Sequence, residues 1–313
     1  LMKILKPKFW DYKKPNFFSY LLLPLTFPVI INNFFLKKKK NISNQNIKKI
    51  CVGNIYVGGT AKTPLTIKIY QILKNLKYKA ATIKKFYKDQ VDEQKILKSK
   101  TILYCAKNRN QSLNQAIKDN VDIVIFDDGL QDRSINYDLK FVCFNNIKWI
   151  GNGFLMPAGP LREKIESILK YDAIFLNGNE NDNSNIKSLI NKYDKKIQVF
   201  ESTYRPINID QFDINTNYLI FSGIGNPEIF KKTLINNGLK IIKEIVFPDH
   251  YQYTLADINN IKLHAQKLNA KILTTEKDYV KIKPDNNTDI KFLKIELHIK
   301  DEQKLIEYLK LHI

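Results

Sequence analysis

VGNIYVGGTAKTP, residues 52–64, joins a short apolar run at 49–55 to a helix-patterned run at 65–76. Strand, glycine turn, Lys-Thr and helix are the parts of a phosphate-binding loop, in which backbone N–H groups and a helix N-terminus face phosphate oxygens. In that reading Tyr56, Val57, Gly58, Gly59, Thr60 and Ala61 form the cradle. Lys62 reaches the β/γ oxygens and Thr63 holds Mg²⁺. The general spacing asks for glycine at 56 and 61, where this chain has Tyr56 and Ala61. The alternative is an ordinary glycine-rich strand–helix turn.

Outward from this loop, apolar strand-like runs alternate with helical ones. Strands are expected at 49–55, 80–84, 101–105, 122–126, 140–144, 173–176 and 197–202, and helices at 65–76, 93–98, 111–118 and 186–192. A polar, turn-rich stretch at 203–216 precedes a second series. Its strands are expected at 218–221, 241–247, 271–273 and 290–295, and its helices at 227–236, 255–268 and 302–309. The pattern predicts an α/β protein: a P-loop NTPase-like, doubly wound, mostly parallel sheet with a second, smaller α/β domain. The expected division is a membrane-associated segment at 1–40, a P-loop domain at 41–205 and a C-terminal domain at 206–313.

A hydrophobic content of 44% and a charged content of 26% in 313 residues describe a folded chain with room for two domains. The net charge of +20 comes mainly from lysine and favours anionic partners: nucleic acid, a membrane face or a phosphorylated substrate. No arginine stripe or aromatic–basic interleaving of the nucleic-acid-binding kind is present, so nucleic acid is not expected as a partner. Cys51, Cys105 and Cys143 lack metal or disulfide spacing and read as buried, reduced thiols.

Residues 17–36 carry no charge and are flanked by Lys13, Lys14 and the run 37–40 of lysines. Their length approaches the ~20 residues of a bilayer span, but Pro24, Pro28 and the Asn32-Asn33 pair oppose a buried apolar helix. The expected arrangement lies in the membrane interface, with Phe and Leu in the acyl boundary and lysines on anionic headgroups. A spanning helix and a buried helical pair are the alternatives.

Further motifs carry chemistry. The apolar run 123–126 ends in Asp127-Asp128-Gly129. A carboxylate closing a buried strand downstream of a phosphate loop orients Mg²⁺, and a second one serves a base or water; a plain Asp-Gly turn is the alternative. The Gly- and Pro-dense loop 151–163 ends in Arg162-Glu163. Arg162 is placed to stabilise phosphoryl charge, and Glu163 to bind Mg²⁺ or orient Arg162, unless the two form a surface ion pair. Asp249-His250 sets an imidazole beside a carboxylate, for proton transfer or as ordinary surface. Thr274 to Asp278 fails the register of a guanine-reading motif, because Lys277 directly precedes Asp278.

In order and content, VGNIYVGGTAKTP, FDDGLQ (126–131), GNGFLMPAGPLRE (151–163), SGIGNPEIF (222–230), FPDHYQY (247–253) and TTEKDYVK (274–281) resemble the lipid A 4′-kinase (tetraacyldisaccharide 4′-kinase) family. The resemblance spans nearly the whole chain. It implies ATP- and Mg²⁺-dependent phosphorylation of the 4′-hydroxyl of a tetraacylated glucosamine disaccharide 1-phosphate, with an active site between two α/β domains. It implies location at the cytoplasmic face of a bacterial inner membrane, peripheral or monotopic. The lipid A disaccharide precursor and the anionic membrane surface are then the partners, with no obligatory protein partner.

Lys62 and Thr63 match the family's phosphate-loop pair, Asp127 and Asp128 its double aspartate, Arg162 and Glu163 its Arg-Glu, and His250 its cleft histidine. The resemblance assigns the general base to Asp92 of Val91-Asp92-Glu93 and aligns Arg109 with a Gly-x-Asp-Arg element. The chain departs from the family at Ala61, where glycine is usual; at 84–87, where Lys-Lys-Phe-Tyr stands for Ser-Arg-Gly-Tyr; and at Asp132, where histidine is frequent. The rival reading is a membrane-associated P-loop NTPase without lipid kinase activity.

Overall fold

The structure, a computed structural model, describes residues 6–35, 47–88, 90–132, 134–178, 182–194, 196–249 and 251–313. Twelve strands occur among them: β1 (Lys48–Gly53), β2 (Ala80–Lys85), β3 (Leu103–Ala106), β4 (Ile123–Asp127), β5 (Leu139–Asn145), β6 (Ala173–Asn177), β7 (Gln198–Pro206), β8 (Asn217–Ser222), β9 (Lys240–Val246), β10 (Lys271–Thr275), β11 (Ile290–Leu293) and β12 (Ile295–Ile299). The α-helices are α1 (Phe17–Leu21), α2 (Phe27–Phe35), α3 (Lys62–Asn75), α4 (Val91–Lys100), α5 (Arg109–Lys118), α6 (Ser184–Tyr193), α7 (Pro227–Asn236), α8 (Leu255–Lys267), α9 (Glu276–Tyr279) and α10 (Glu302–His312).

An eight-stranded sheet has the order β12-β7-β6-β5-β1-β4-β2-β3, and β1 to β7 all pair in parallel. Both faces are covered, which explains why its strands read as unbroken apolar runs. Alternate residues serve opposite cores. Ile50 and Val52 of β1, Ile125 of β4 and Phe141 of β5 pack with Leu65, Ile69 and Leu73 of α3 and Leu305 and Leu309 of α10. Their neighbours Cys51, Val124, Phe126 and Val142 face the other way, with Leu113 and Ala116 of α5 and Ile190 of α6. The chain moves outward from β1 to β2 and β3, returns at β4 and crosses β1 to reach β5. The switch point therefore flanks β1, and in open α/β sheets ligands bind beyond the strand ends at such a point.

The second sheet has four parallel strands in the order β11-β10-β8-β9. Phe230 and Leu234 of α7 cover one face with Tyr218 and Ile220, and Ile258, Ile261 and Ala265 of α8 cover the other with Leu219 and Phe221. A reciprocal cap between Thr254 and Asp257 starts α8.

The chain divides into two units: Leu1–Phe86, Lys100–Tyr204 and Leu297–Ile313 form the first, and Tyr87–Ser99 and Arg205–Glu296 the second. This differs from the expected 206–313 domain at the C-terminus. The single strand expected at 290–295 is two strands in different sheets. The break falls at Lys294, whose N–H donates to Asn208 Oδ1 at 2.8 Å and whose carbonyl accepts from Ile207 N–H at 3.0 Å. β12 then lies beside β7, and α10 buries Leu305 and Leu309 completely in the first unit's core.

At the N-terminus, α1, a 3-10 turn at Leu23–Thr26 and α2 form a broken helical stretch. Its polarity is inverted: Ser19 and Thr26 are buried, whereas Phe17, Leu21, Leu25 and Phe27 are each more than half exposed. Among the described residues no helix is long and apolar enough to cross a membrane. Residues 37–40 lie outside the described residues.

Trp10 and Trp149, the only tryptophans, both belong to the first unit and report its unfolding. Leu305→Ala should lower the stability seen by tryptophan fluorescence in urea by about 2–5 kcal/mol, the usual cost of emptying a buried leucine site. An unchanged midpoint would show that α10 does not belong to this core.

Candidate active site

Beyond β1 the backbone is shaped by Asn54, which is fully buried. Its Nδ2 donates to the carbonyls of Tyr56 at 2.5 Å and Gly58 at 3.3 Å and to Thr60 Oγ1 at 3.0 Å, which curls the loop on itself. Ala61 precedes α3 in the left-handed conformation, at φ 66°, and no side chain caps the helix start. The first-turn N–H groups of α3 thus lack a side-chain acceptor, the condition for holding an anion. A Cβ built at Gly59 meets nothing within 4 Å, so the loop has open space beside it.

Strand register brings the acidic motif to this loop: Val52 of β1 pairs with Asp127 at the end of β4. Asp127 is fully buried. Its Oδ2 accepts from Thr63 Oγ1 at 3.0 Å and from Lys84 Nζ at 2.7 Å, and its Oδ1 from Thr66 Oγ1 at 3.4 Å. Asp128 turns away in a left-handed conformation, at φ 57°. Its Oδ1 lies 3.4 Å from an Arg162 guanidinium nitrogen and 4.0 Å from Lys62 Nζ, so one carboxylate sits between two cations. Arg109 fixes that turn by donating to the Asp128 carbonyl at 2.6 Å and to Asp132 Oδ2 at 3.0 Å. Burial pushes the Asp132 carboxyl up, but hydrogen bonds from Ser134 and the Arg109 charge outweigh it and hold it below the usual range.

The loop 151–163 is laced to the phosphate loop by backbone pairing. Val57 N–H donates to Pro160 C=O at 2.9 Å, Arg162 N–H donates to Ile55 C=O at 2.7 Å, and Tyr56 and Leu161 form an antiparallel bridge. This lacing, and not the side chain, fixes where Arg162 starts. Glu163 is oriented by Tyr171, whose hydroxyl donates to Oε1 at 3.2 Å, and by Gln131 at 3.3 Å. Gln131 Oε1 in turn accepts from Arg162 at 3.3 Å, so Glu163 reaches Arg162 through an amide. The N-terminal segment joins the same loop. Trp10 Nε1 donates to Pro157 C=O at 3.0 Å, and Asn152 Nδ2 donates to Ser19 Oγ at 2.9 Å. Gly151 is required there, since a Cβ would lie 2.1 Å from the Trp10 carbonyl oxygen. Tyr56, expected in the cradle, buries its ring with Leu155 and Leu161 and joins its hydroxyl to Asp11 and Lys6.

The second unit holds the remaining candidates. Asp92 lies fully buried in the first turn of α4. Lys277 Nζ approaches Asp249 Oδ1 at 3.1 Å and Asp92 Oδ2 and Glu93 Oε1 at 3.7 Å each. Burial lowers the Lys277 pKa, but the charges of Asp249, Glu93 and Asp92 outweigh it and hold the ammonium above its ordinary value. His250 lies outside the described residues.

Thr63 and Asp127 supply a hydroxyl and a carboxylate side by side at the phosphate loop. This is a hard-oxygen set of the kind Mg²⁺ uses when substrate phosphates complete its shell. Among the described residues no cluster of three or more His, Cys, Asp or Glu forms an all-protein metal cage. Cys51 and Cys143 are buried as expected, but Cys105 is exposed.

Sequence reasoning assigned no site role to Asn54, Lys84, Gln131 or Lys277. Asn54, Gln131 and Lys277 lay inside motifs already singled out; Lys84 lay in a stretch noted only as a departure from the family, and the pairing Lys84↔Asp127 between β2 and β4 is what sets it on a buried carboxylate.

Comparison with known proteins bears on this site. The family model for tetraacyldisaccharide-1-P 4′-kinase, LpxK, matches residues 21–101 and 92–313. The chain is 50% identical over 305 residues to the tetraacyldisaccharide 4′-kinase of Pelagibacter ubique, covering 97% of this chain and 96% of that protein. It is 35% identical over 328 residues to the enzyme of that name from Rickettsia canadensis, covering 98% and 97%. The fold is similar to the crystal structure of "apo" form LpxK from Aquifex aeolicus in complex with ATP, at a TM-score of 0.70 and 22% identity, covering 94% of this chain and 99% of that one.

A left-handed alanine costs about 1–2 kcal/mol, and a β-branched side chain fits that region worse. Ala61→Val should therefore destabilise the first unit by more than about 1 kcal/mol, while Ala61→Gly should shift it by less than that. Urea titrations followed by tryptophan fluorescence check both; equal midpoints for the two variants would contradict the strained-cap reading.

Proposed function

The chain belongs to the tetraacyldisaccharide-1-P 4′-kinase family, and on that premise we propose that it transfers the γ-phosphoryl of ATP to the 4′-hydroxyl of a tetraacylated glucosamine disaccharide 1-phosphate, the lipid A precursor. One observation carries the reading: Thr63 and Asp127 stand together at the uncapped start of α3, with Lys62 and Arg162 drawn to the neighbouring Asp128. Loop N–H groups and Lys62 bind the nucleotide phosphates. Thr63 and Asp127 would hold Mg²⁺ there, which would supply positive charge to offset that of the nucleotide phosphates.

Lys62 and Arg162 stabilise charge on the transferring phosphoryl, and Asp128 keeps the two cations oriented before nucleotide arrives. The proton of the sugar hydroxyl is assigned to Asp92, with His250 and Asp128 as the other candidates. The ammonium of Lys277 stands 3.7 Å from Asp92 Oδ2. The exposed apolar side chains of the N-terminal segment are assigned to the anionic cytoplasmic face of the inner membrane, as a peripheral or monotopic anchor.

Incubation with labelled ATP and a tetraacylated disaccharide 1-phosphate in mixed micelles should put label in the lipid. Label released only as inorganic phosphate would favour the NTPase reading. Lys62→Ala should lower lipid labelling by about 10²–10³-fold at an unchanged melting temperature, the usual effect of losing one charge-stabilising donor. Asp92→Asn should lower the maximal rate by about 10²-fold or more; near-normal turnover would remove Asp92 from the role of base.

Replacing Phe17, Leu21, Leu25 and Phe27 with serine should abolish sedimentation with anionic vesicles, since each buried side chain contributes about 1.5–3 kcal/mol. Retained sedimentation would move the membrane contact elsewhere.

A further inference from the structure

Lys84 is 2% exposed and Asp127 is fully buried, and their charged atoms lie 2.7 Å apart across the register pair Lys84↔Asp127. The carboxylate oxygen that takes Lys84 is Oδ2, which also takes Thr63 Oγ1 at 3.0 Å. That oxygen is the one adjacent to the Thr63 hydroxyl, where a divalent cation would have to stand. A bare carboxylate buried to this degree is costly, and a buried ammonium within hydrogen-bond distance offsets that cost without any metal. The same ammonium repels a second cation at close range, and in a shielded site the repulsion is strong.

We propose that Lys84 is a positioning residue that stands in for the divalent cation at Asp127 in the nucleotide-free protein, so that metal capture depends on nucleotide. The inference rests on the phosphoryl-transfer reading of the site given above. In this arrangement the Asp127 carboxylate stays aimed at Thr63 whether or not metal is bound. A free divalent cation meets an oxygen already shared by an ammonium and a hydroxyl, and it gains too little from Thr63 and Asp127 alone. The negative charge of the nucleotide phosphates tips the balance, since they supply both ligands and attraction.

Mn²⁺ in place of Mg²⁺ gives a direct readout by electron paramagnetic resonance, independent of turnover. Wild type should show Mn²⁺ binding only when ATP is added. Lys84→Gln, which is one atom shorter and keeps an N–H donor but not the charge, should bind Mn²⁺ without ATP at least about tenfold more tightly than wild type. It should also gain a Mg²⁺-dependent rise in melting temperature that wild type lacks. Lys84→Arg should behave as wild type.

A Lys84→Gln titration that overlays wild type in the absence of ATP would overturn the proposal. If that variant does not fold, the wild-type titration decides alone: Mn²⁺ bound equally well with and without ATP would overturn it. Failure of wild type to bind Mn²⁺ even with ATP would instead sink the phosphoryl-transfer reading itself, and the role of Lys84 with it.

Discussion

A carboxylate buried without access to water organises this molecule. Asp127 ends β4 in the middle of an eight-stranded sheet, fully enclosed, and so must have its partners supplied by the protein. They come from two elements: Lys84 from β2, and Thr63 and Thr66 from α3. Satisfying one side chain thereby pins the phosphate-loop helix to two strands. The parallel pairing of β1 with β4 makes this possible, because it sets Val52 opposite Asp127 and lets the loop begin within reach of the carboxylate. Removing a single partner of such a buried ion pair is more damaging than never having it, since the other charge is stranded.

A second constraint is mechanical continuity. The phosphate loop and the loop bearing Arg162 share backbone hydrogen bonds, and the second loop also holds the N-terminal segment through Trp10, Ser19 and Asn152. Tyr56 adds a direct link from the phosphate loop to Asp11 and Lys6. The segment that offers Phe and Leu outward is therefore built into the first unit by its polar side, with Ser19 buried where an apolar residue would be expected. Inverted polarity of this kind is stable only if the apolar face finds something other than water.

The fold was largely legible because buried parallel strands leave a strong signal. Continuous apolar runs at 122–126, 140–144 and 173–176 lie within or at the edges of β4, β5 and β6. The run at 290–295 misled for an equally physical reason: apolar character continues across Lys294, and only the backbone hydrogen bonds to Asn208 and Ile207 divide it between two sheets. Within the site, Asp127, Thr63, Lys62 and Arg162 announced themselves by motif. Lys84 did not, because a lysine in a lysine-rich chain reads as solvated surface until a strand register gives it a buried partner.

Sequence alone determined the chemistry on offer: a Gly-Gly-Thr-Ala-Lys-Thr turn after a strand, a double aspartate closing another, an Arg-Glu pair after a Gly- and Pro-rich loop, and a chargeless N-terminal stretch. These are local patterns, set by residue type and short-range geometry. Tertiary structure alone decided which charges meet. Lys84 pairs with Asp127 at a sequence separation of 43, and Lys277 reaches Asp92 from the far part of the chain. It also returned the C-terminal helix to the first core. Such pairings depend on strand order and register, which apolar patterning permits in several versions and which only the simultaneous burial of both sheet faces selects.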